Sequence, residues 1–203
     1  MDDLKKTYYP HYNVLKHKDE WDEHTRQVIQ ERFKPKHSSY FSTMEREILT
    51  DLSHHIFPSH LGEISIHIID IFDERCSKGS IRGYRPGTTL PKTTVIDTGL
   101  KHIDEECILL HQLPFIQLEK EQQQKLITQW FVGDTTNNVW KAVTSVEFFK
   151  TLTAELIPIV YSDPSIWSHI GFGGPAFPHG YYAFGPKQFD NSEAPLHDST
   201  STR

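Results

Sequence analysis

From Asp19 onward, apolar residues recur at helical spacing. Trp21, Thr25, Val28, Ile29 and Phe33 stand at i, i+4, i+7, i+8 and i+12, which draws one stripe along a helix ending before Pro35. Ser42-Thr-Met-Glu45 reads as a capping box, in which the serine oxygen accepts from the Glu45 N–H and the glutamate reaches back. Met44, Ile48, Leu49, Leu52 and Ile56 then share a face up to Pro58. Ile64, Ile66 and Ile68 alternate as on a half-buried strand, whereas Ile64, Ile68, Ile71 and Phe72 fit one helical face, and periodicity leaves both readings open. Residues 77–92, with Gly79, Gly83, Pro86, Gly87 and Pro91, read as a long loop.

Ile96, Leu100, Ile103, Cys107 and Leu110 step by four and three along a further helix, although Gly99 inside it costs about 1 kcal/mol relative to alanine. Residues 119–131 place acidic side chains in a first turn and end on Leu126, Ile127, Trp130 and Phe131 before Gly133. From Trp140, the series Val143, Val146, Phe149, Leu152 and Leu156 continues one face to Pro158, which should kink or end that helix. Residues 162–190 break the pattern. They hold Trp167, Phe172, Phe177, Tyr181, Tyr182, Phe184 and Phe189 among repeated glycines and prolines, a composition that opposes a regular helix or central strand. So much aromatic area must lie against a surface, either the chain's own core or another protein. The expected organisation is an arm over 1–18, a helical domain over 19–161, an aromatic Gly/Pro-rich strap over 162–190 and a disordered tail over 191–203. The fold class is all-α: a bundle-like domain of five or six helices with a long irregular C-terminal segment.

At 203 residues the chain is long enough to bury a core. Its 21 basic against 27 acidic residues, net charge −6, give no basic footprint for nucleic acid. No run approaches the ~20 apolar residues of a bilayer span, and the N-terminus carries neither an apolar h-region nor twin arginines, so a cytoplasmic location is expected. Cys76 and Cys107 form no CxxC or CxxCH and read as reduced, buried thiols.

Chemistry has few footholds. His67, Asp70 and Glu74 share a face at i, i+3 and i+7 if their segment is helical, with His54, His55 and His60 nearby in sequence. A freestanding metal-dependent enzyme using that face is the rival functional reading, although HExxH, HxH and ExxH spacings are missing. Gly171-Phe-Gly173-Gly174-Pro175-Ala176 formally fits GxGxxA, but Pro175 and Pro178 obstruct the helix that a dinucleotide fingerprint must open. Glu105, Glu106, Glu119 and Glu121 read as solvated helix faces. No catalytic, cofactor-binding or metal-binding residue is nominated.

The C-terminal third resembles a known family. Phe148-Phe149-Lys-Thr-Leu-Thr-Ala-Glu-Leu, Ser162-Asp163-Pro164 and Trp167-Ser-His-Ile-Gly-Phe-Gly-Gly-Pro-Ala-Phe-Pro-His-Gly-Tyr181 look like gluconate 2-dehydrogenase subunit 3, the small gamma subunit. Ser42 to Pro58, Ile68-Ile-Asp70, and Leu113-Pro-Phe115 with Leu118 follow in order, so the resemblance spans about residues 40–185 and favours helix for 64–76. It implies a non-catalytic accessory subunit that supports assembly and stability of a large FAD-dependent dehydrogenase of the glucose-methanol-choline type, oxidising a sugar, sugar acid or polyol. The FAD would sit in that partner, none in this chain, and a cytochrome subunit could complete the complex. The residues expected at the partner contact are Trp140, Trp167, Phe172, Gly173, Gly174, Pro175 and Tyr181. Two departures stand out: exported members begin with a twin-arginine signal, and many carry a Tyr-Gly-Gly-Asn insertion before the position of Trp167, which this chain lacks.

Overall fold

The computed structural model describes residues 9–57, 64–81, 90–135, 138–176, 180 and 194, and every regular element among them is helical. In chain order these are a 3-10 helix (Val14–Glu20), α1 (Glu23–Arg32), α2 (Thr43–Ile56), α3 (Ile68–Ser77), α4 (Lys92–His111), a second 3-10 helix (Phe115–Gln117), α5 (Lys120–Val132), α6 (Ser145–Val160) and α7 (Pro164–Ile170). The chain divides into two compact units, one from residues 1–35, 59–67 and 159–203, the other from residues 36–58 and 68–158.

The first unit is organised around Val14, Trp21, Ile29 and Trp167, with Tyr12 and Phe33 packed on them. Trp21 and Trp167 meet edge to face at 6.5 Å, the arrangement that the ring quadrupoles favour. Val14 lies in the stretch expected to form an arm, yet it is fully buried and its N–H donates to Ser168 Oγ at 3.1 Å. Asp22 opens α1 by accepting from the Thr25 N–H at 2.6 Å, a hydrogen bond that holds its carboxyl below the usual range. Val28, placed on the apolar stripe by the sequence, is exposed. Trp21 precedes the helix in extended backbone (φ −82°, ψ 149°), so a register counted from it is not that of α1.

The second unit begins with α2, whose capping box forms as the sequence predicts: Ser42 Oγ accepts from the Glu45 N–H at 3.3 Å and Glu45 Oε2 from the Ser42 N–H at 2.8 Å. Ile48, Leu49 and Leu52 are buried, while Met44, in the first turn, is exposed. The ambiguous stretch resolves as helix from Ile68; residues 64–67 remain outside it. Gly99 has a packing reason, because a Cβ there would lie 2.0 Å from Phe148 Cδ2. The gap left by hydrogen lets the α6 ring seat against α4.

The last long helix departs from expectation at its start. It starts at Ser145, capped by Thr144 Oγ1 accepting from the Glu147 N–H at 3.1 Å, and not at Trp140. Val146 is exposed and Phe148 takes the buried position. Pro158 does not end α6, which runs on to Val160. The carbonyl that Pro158 leaves without a helical partner belongs to Ala154, and both residues are exposed, so the helix can carry the proline without burying that carbonyl.

Candidate functional site

Among the described residues three buried carboxylates organise the polar interior, Asp163 in the first unit and Asp73 and Glu106 in the second. In the first unit, Asp163 is completely buried. It accepts from the Ser65 N–H at 2.5 Å, the Ser65 hydroxyl at 2.6 Å, the Ile66 N–H at 3.2 Å and the Ser165 N–H at 2.8 Å. The last of these caps α7, with Pro164 at the first helical position, where its missing N–H costs nothing. This is how a short helix forms inside a segment whose composition opposes one. The glycines fall after it: Gly171, at φ 76°, terminates α7, and Gly174, at φ 81°, lets the chain cross so close that a Cβ would stand 2.8 Å from Trp21 Cζ2.

In the second unit, Glu106 is 1% exposed, and its Oε2 accepts from both indoles, Trp130 Nε1 at 2.6 Å and Trp140 Nε1 at 2.6 Å. The expectation that Glu106 solvates a helix face is therefore overturned. A lone charge of this depth would be prohibitive, and two N–H donors on one oxygen offset its desolvation. Trp140 is thereby drawn against Trp130 at 6.0 Å and His102 at 5.4 Å between ring centroids.

The residues nominated for a partner contact divide by exposure. Trp140 and Trp167 are 7% and 5% exposed, and the Trp167 indole donates to the Tyr161 carbonyl at 2.6 Å. Both are core residues of their own units. Gly174 is buried, and Gly173 and Pro175 are half-buried. Phe172 is 37% exposed, its ring edge-on to Trp167 at 5.6 Å. Tyr181 lies outside the described residues. Leu110, which the sequence pattern set on the apolar stripe of α4, is exposed, and with Ile108, Leu109 and Leu113, to which sequence reasoning gave no role in a site, it forms a run of exposed apolar side chains at the end of α4. Three consecutive apolar residues closing a helix were the available signal, since they cannot all face one core.

The rival metal face does not assemble. Asp70 is engaged by Arg46 Nη2, and Glu74 by Lys78 Nζ at 2.8 Å. Arg46 also reaches the buried Asp73, which accepts from the Tyr40 N–H at 2.8 Å. Among the described residues no group of three or more His, Cys, Asp or Glu could hold a metal ion, and His60 lies outside them. GxGxxA does not act as a phosphate cradle either, because Gly171 closes a helix where the fingerprint must open one. Burial pushes the thiols of Cys76 and Cys107 up to about 12, which withholds the thiolate.

Among the described residues no helix is long and apolar enough to cross a membrane. The family model described as gluconate 2-dehydrogenase subunit 3 matches residues 43–174, from the first turn of α2 through Asp163, Trp167 and Gly174. No curated protein and no solved structure matches the chain.

Proposed function

We propose, from the premise that the chain belongs to the gluconate 2-dehydrogenase subunit 3 family, that it is the non-catalytic small subunit of an FAD-dependent dehydrogenase of the glucose-methanol-choline type. The partner would oxidise a sugar, sugar acid or polyol and hold the FAD; this chain would support its assembly and stability. The observation that carries the reading is the family match over residues 43–174. The chemistry of the interior is consistent with it. Asp163, Glu106 and Asp73 each accept from internal donors, and both thiols are buried, so these groups are occupied in building the units. Among the described residues of the nominated strap, Phe172 with the half-buried Gly173 and Pro175 would be available to a partner; Trp140 and Trp167 would act by fixing the backbone around them.

Co-expression with the flavoprotein dehydrogenase encoded nearest in the same genome tests this. The complex is purified through a tag on this chain and its flavin absorbance recorded. A co-eluting yellow complex, from a flavoprotein that is insoluble or flavin-free when made alone, is the expected result. A colourless single band beside a flavoprotein that folds unaided would overturn it.

A further inference from the structure

The end of α4 carries a run of exposed apolar side chains. Ile108, Leu109 and Leu110 are 52%, 62% and 41% exposed, and Leu113, just past the helix, is 42% exposed. Consecutive helical residues are ~100° apart, so three apolar residues in a row cannot all be satisfied by one core. Together they offer a patch on the order of a few hundred Å², the size that marks an interaction surface when it is contiguous. Between them Gln112 closes α4 at φ 59°, the one left-handed residue other than glycine among those described. A left-handed residue is the ordinary way for a helix to end, here with the Gln112 N–H donating to the Ile108 carbonyl. Beside the patch is a cavity of about 350 Å³ between α4 and α5, floored by Leu110 and Leu126 and walled by His111, Gln122, Lys125 and Gln129. That is room for one large apolar side chain.

Charge selects the occupant. The cavity wall carries Lys125 and His111 and no carboxylate, and Lys125 makes no ion pair among the described residues, in a chain whose net charge is −6. In a symmetric dimer built on this patch the same surface meets itself, so the cavity wall of one copy brings no carboxylate to the Lys125 of the other. A different chain, bringing an apolar anchor flanked by a carboxylate, satisfies both the cavity and the lysine.

We propose that this end of α4, with its cavity, is a docking surface for the catalytic chain of the dehydrogenase. The proposal rests on the accessory-subunit reading for the identity of that chain. The strap residues and the α4 residues belong to different units.

The test uses the full chain co-expressed with the same flavoprotein, comparing wild type, the double variant Leu109→Glu/Leu113→Glu and the single variant Lys125→Glu. The expected result is a loss of at least about tenfold in co-eluting flavin for the double variant. Lys125→Glu should weaken binding and reduce its salt dependence. Thermal melts of the variants alone establish that the fold survives. Should the double variant not fold, Lys125→Glu, a surface change, decides. Both variants co-eluting like wild type would overturn the docking surface and leave the subunit reading standing. Wild type failing to bring down flavin would remove the subunit reading, and this occupant with it. A wild-type dimer by light scattering that Leu109→Glu makes monomeric would assign the patch to a second copy and overturn the proposal.

Discussion

Glu106 places two indole donors on a single oxygen, and the consequence of changing it depends on what is left behind. Glu106→Ala strands the Trp130 and Trp140 N–H groups in a site that is 1% exposed. An unmet buried donor costs ~1–3 kcal/mol, so a loss of about 3 kcal/mol is expected in urea unfolding, with a change in near-UV dichroism. Glu106→Gln keeps an acceptor in the same place and should lose about 1 kcal/mol. Equal losses for the two variants would show that shape matters there and not the hydrogen bonds. Asp97 makes a different case. It accepts from the Tyr40 hydroxyl at 2.8 Å, and burial holds its carboxyl above the usual range. A folded pKa raised over the unfolded 3.8 means that the native state keeps its proton while the unfolded state ionises. Stability from this site is therefore present below 3.8 and is lost as pH rises through the folded pKa. Asp97→Asn retains the acceptor for Tyr40 and removes the deficit. Its stability relative to wild type should rise between pH 3.5 and pH 7 in urea titrations, and a falling difference would refute the assignment.

At the level of elements, Gly99 shows propensity and packing in opposition. Glycine inside α4 costs about 1 kcal/mol against alanine by propensity alone. A Cβ there, however, would stand 2.0 Å from Phe148 Cδ2, forcing the ring on α6 to move. Overpacking of this kind costs ~1–3 kcal/mol, so Gly99→Ala should be net destabilising by about 1 kcal/mol, and partly restored by Phe148→Leu in the same chain. Additive losses in that double variant would sink the explanation. What could be read from the sequence divides along the same line. The α2 start was legible because Ser42 and Glu45 are three residues apart and the cap is local. The α6 start was equally legible, since Thr144 and Glu147 have the same spacing, but the apolar series beginning at Trp140 outweighed it. Glu106 was not legible: its partners lie 24 and 34 positions away, and a buried glutamate has the same letter as a solvated one. For the same reason the burial of Trp140 and Trp167 was not legible, because the letter of an aromatic residue gives no sign of the acceptor that awaits its indole.

For the whole molecule, the distribution of its two cysteines turns chemistry into a probe. Cys76 and Cys107 are 3% and 0% exposed, both lie in the second unit, and burial pushes both thiols up to about 12. At pH 8 the folded unit should therefore withhold both from a thiol reagent, and labelling should proceed only through opening. When opening and closing are fast relative to labelling, the rate follows the population of the open form. Glu106→Ala lies next to Cys107 on α4, and its loss of about 3 kcal/mol should accelerate labelling roughly a hundredfold, at tenfold per 1.4 kcal/mol. Asp163→Asn acts in the other unit, where an amide in place of the carboxylate sets an N–H2 against one of its four donors, at a cost of about 2 kcal/mol. If the two units open as one, Asp163→Asn should accelerate the same thiols by about 30-fold. That is the expected outcome, because α6 runs unbroken through Pro158 and carries backbone of both units. Thiol labelling indifferent to Asp163→Asn, in a variant whose overall melt has fallen, would instead show two units that open separately.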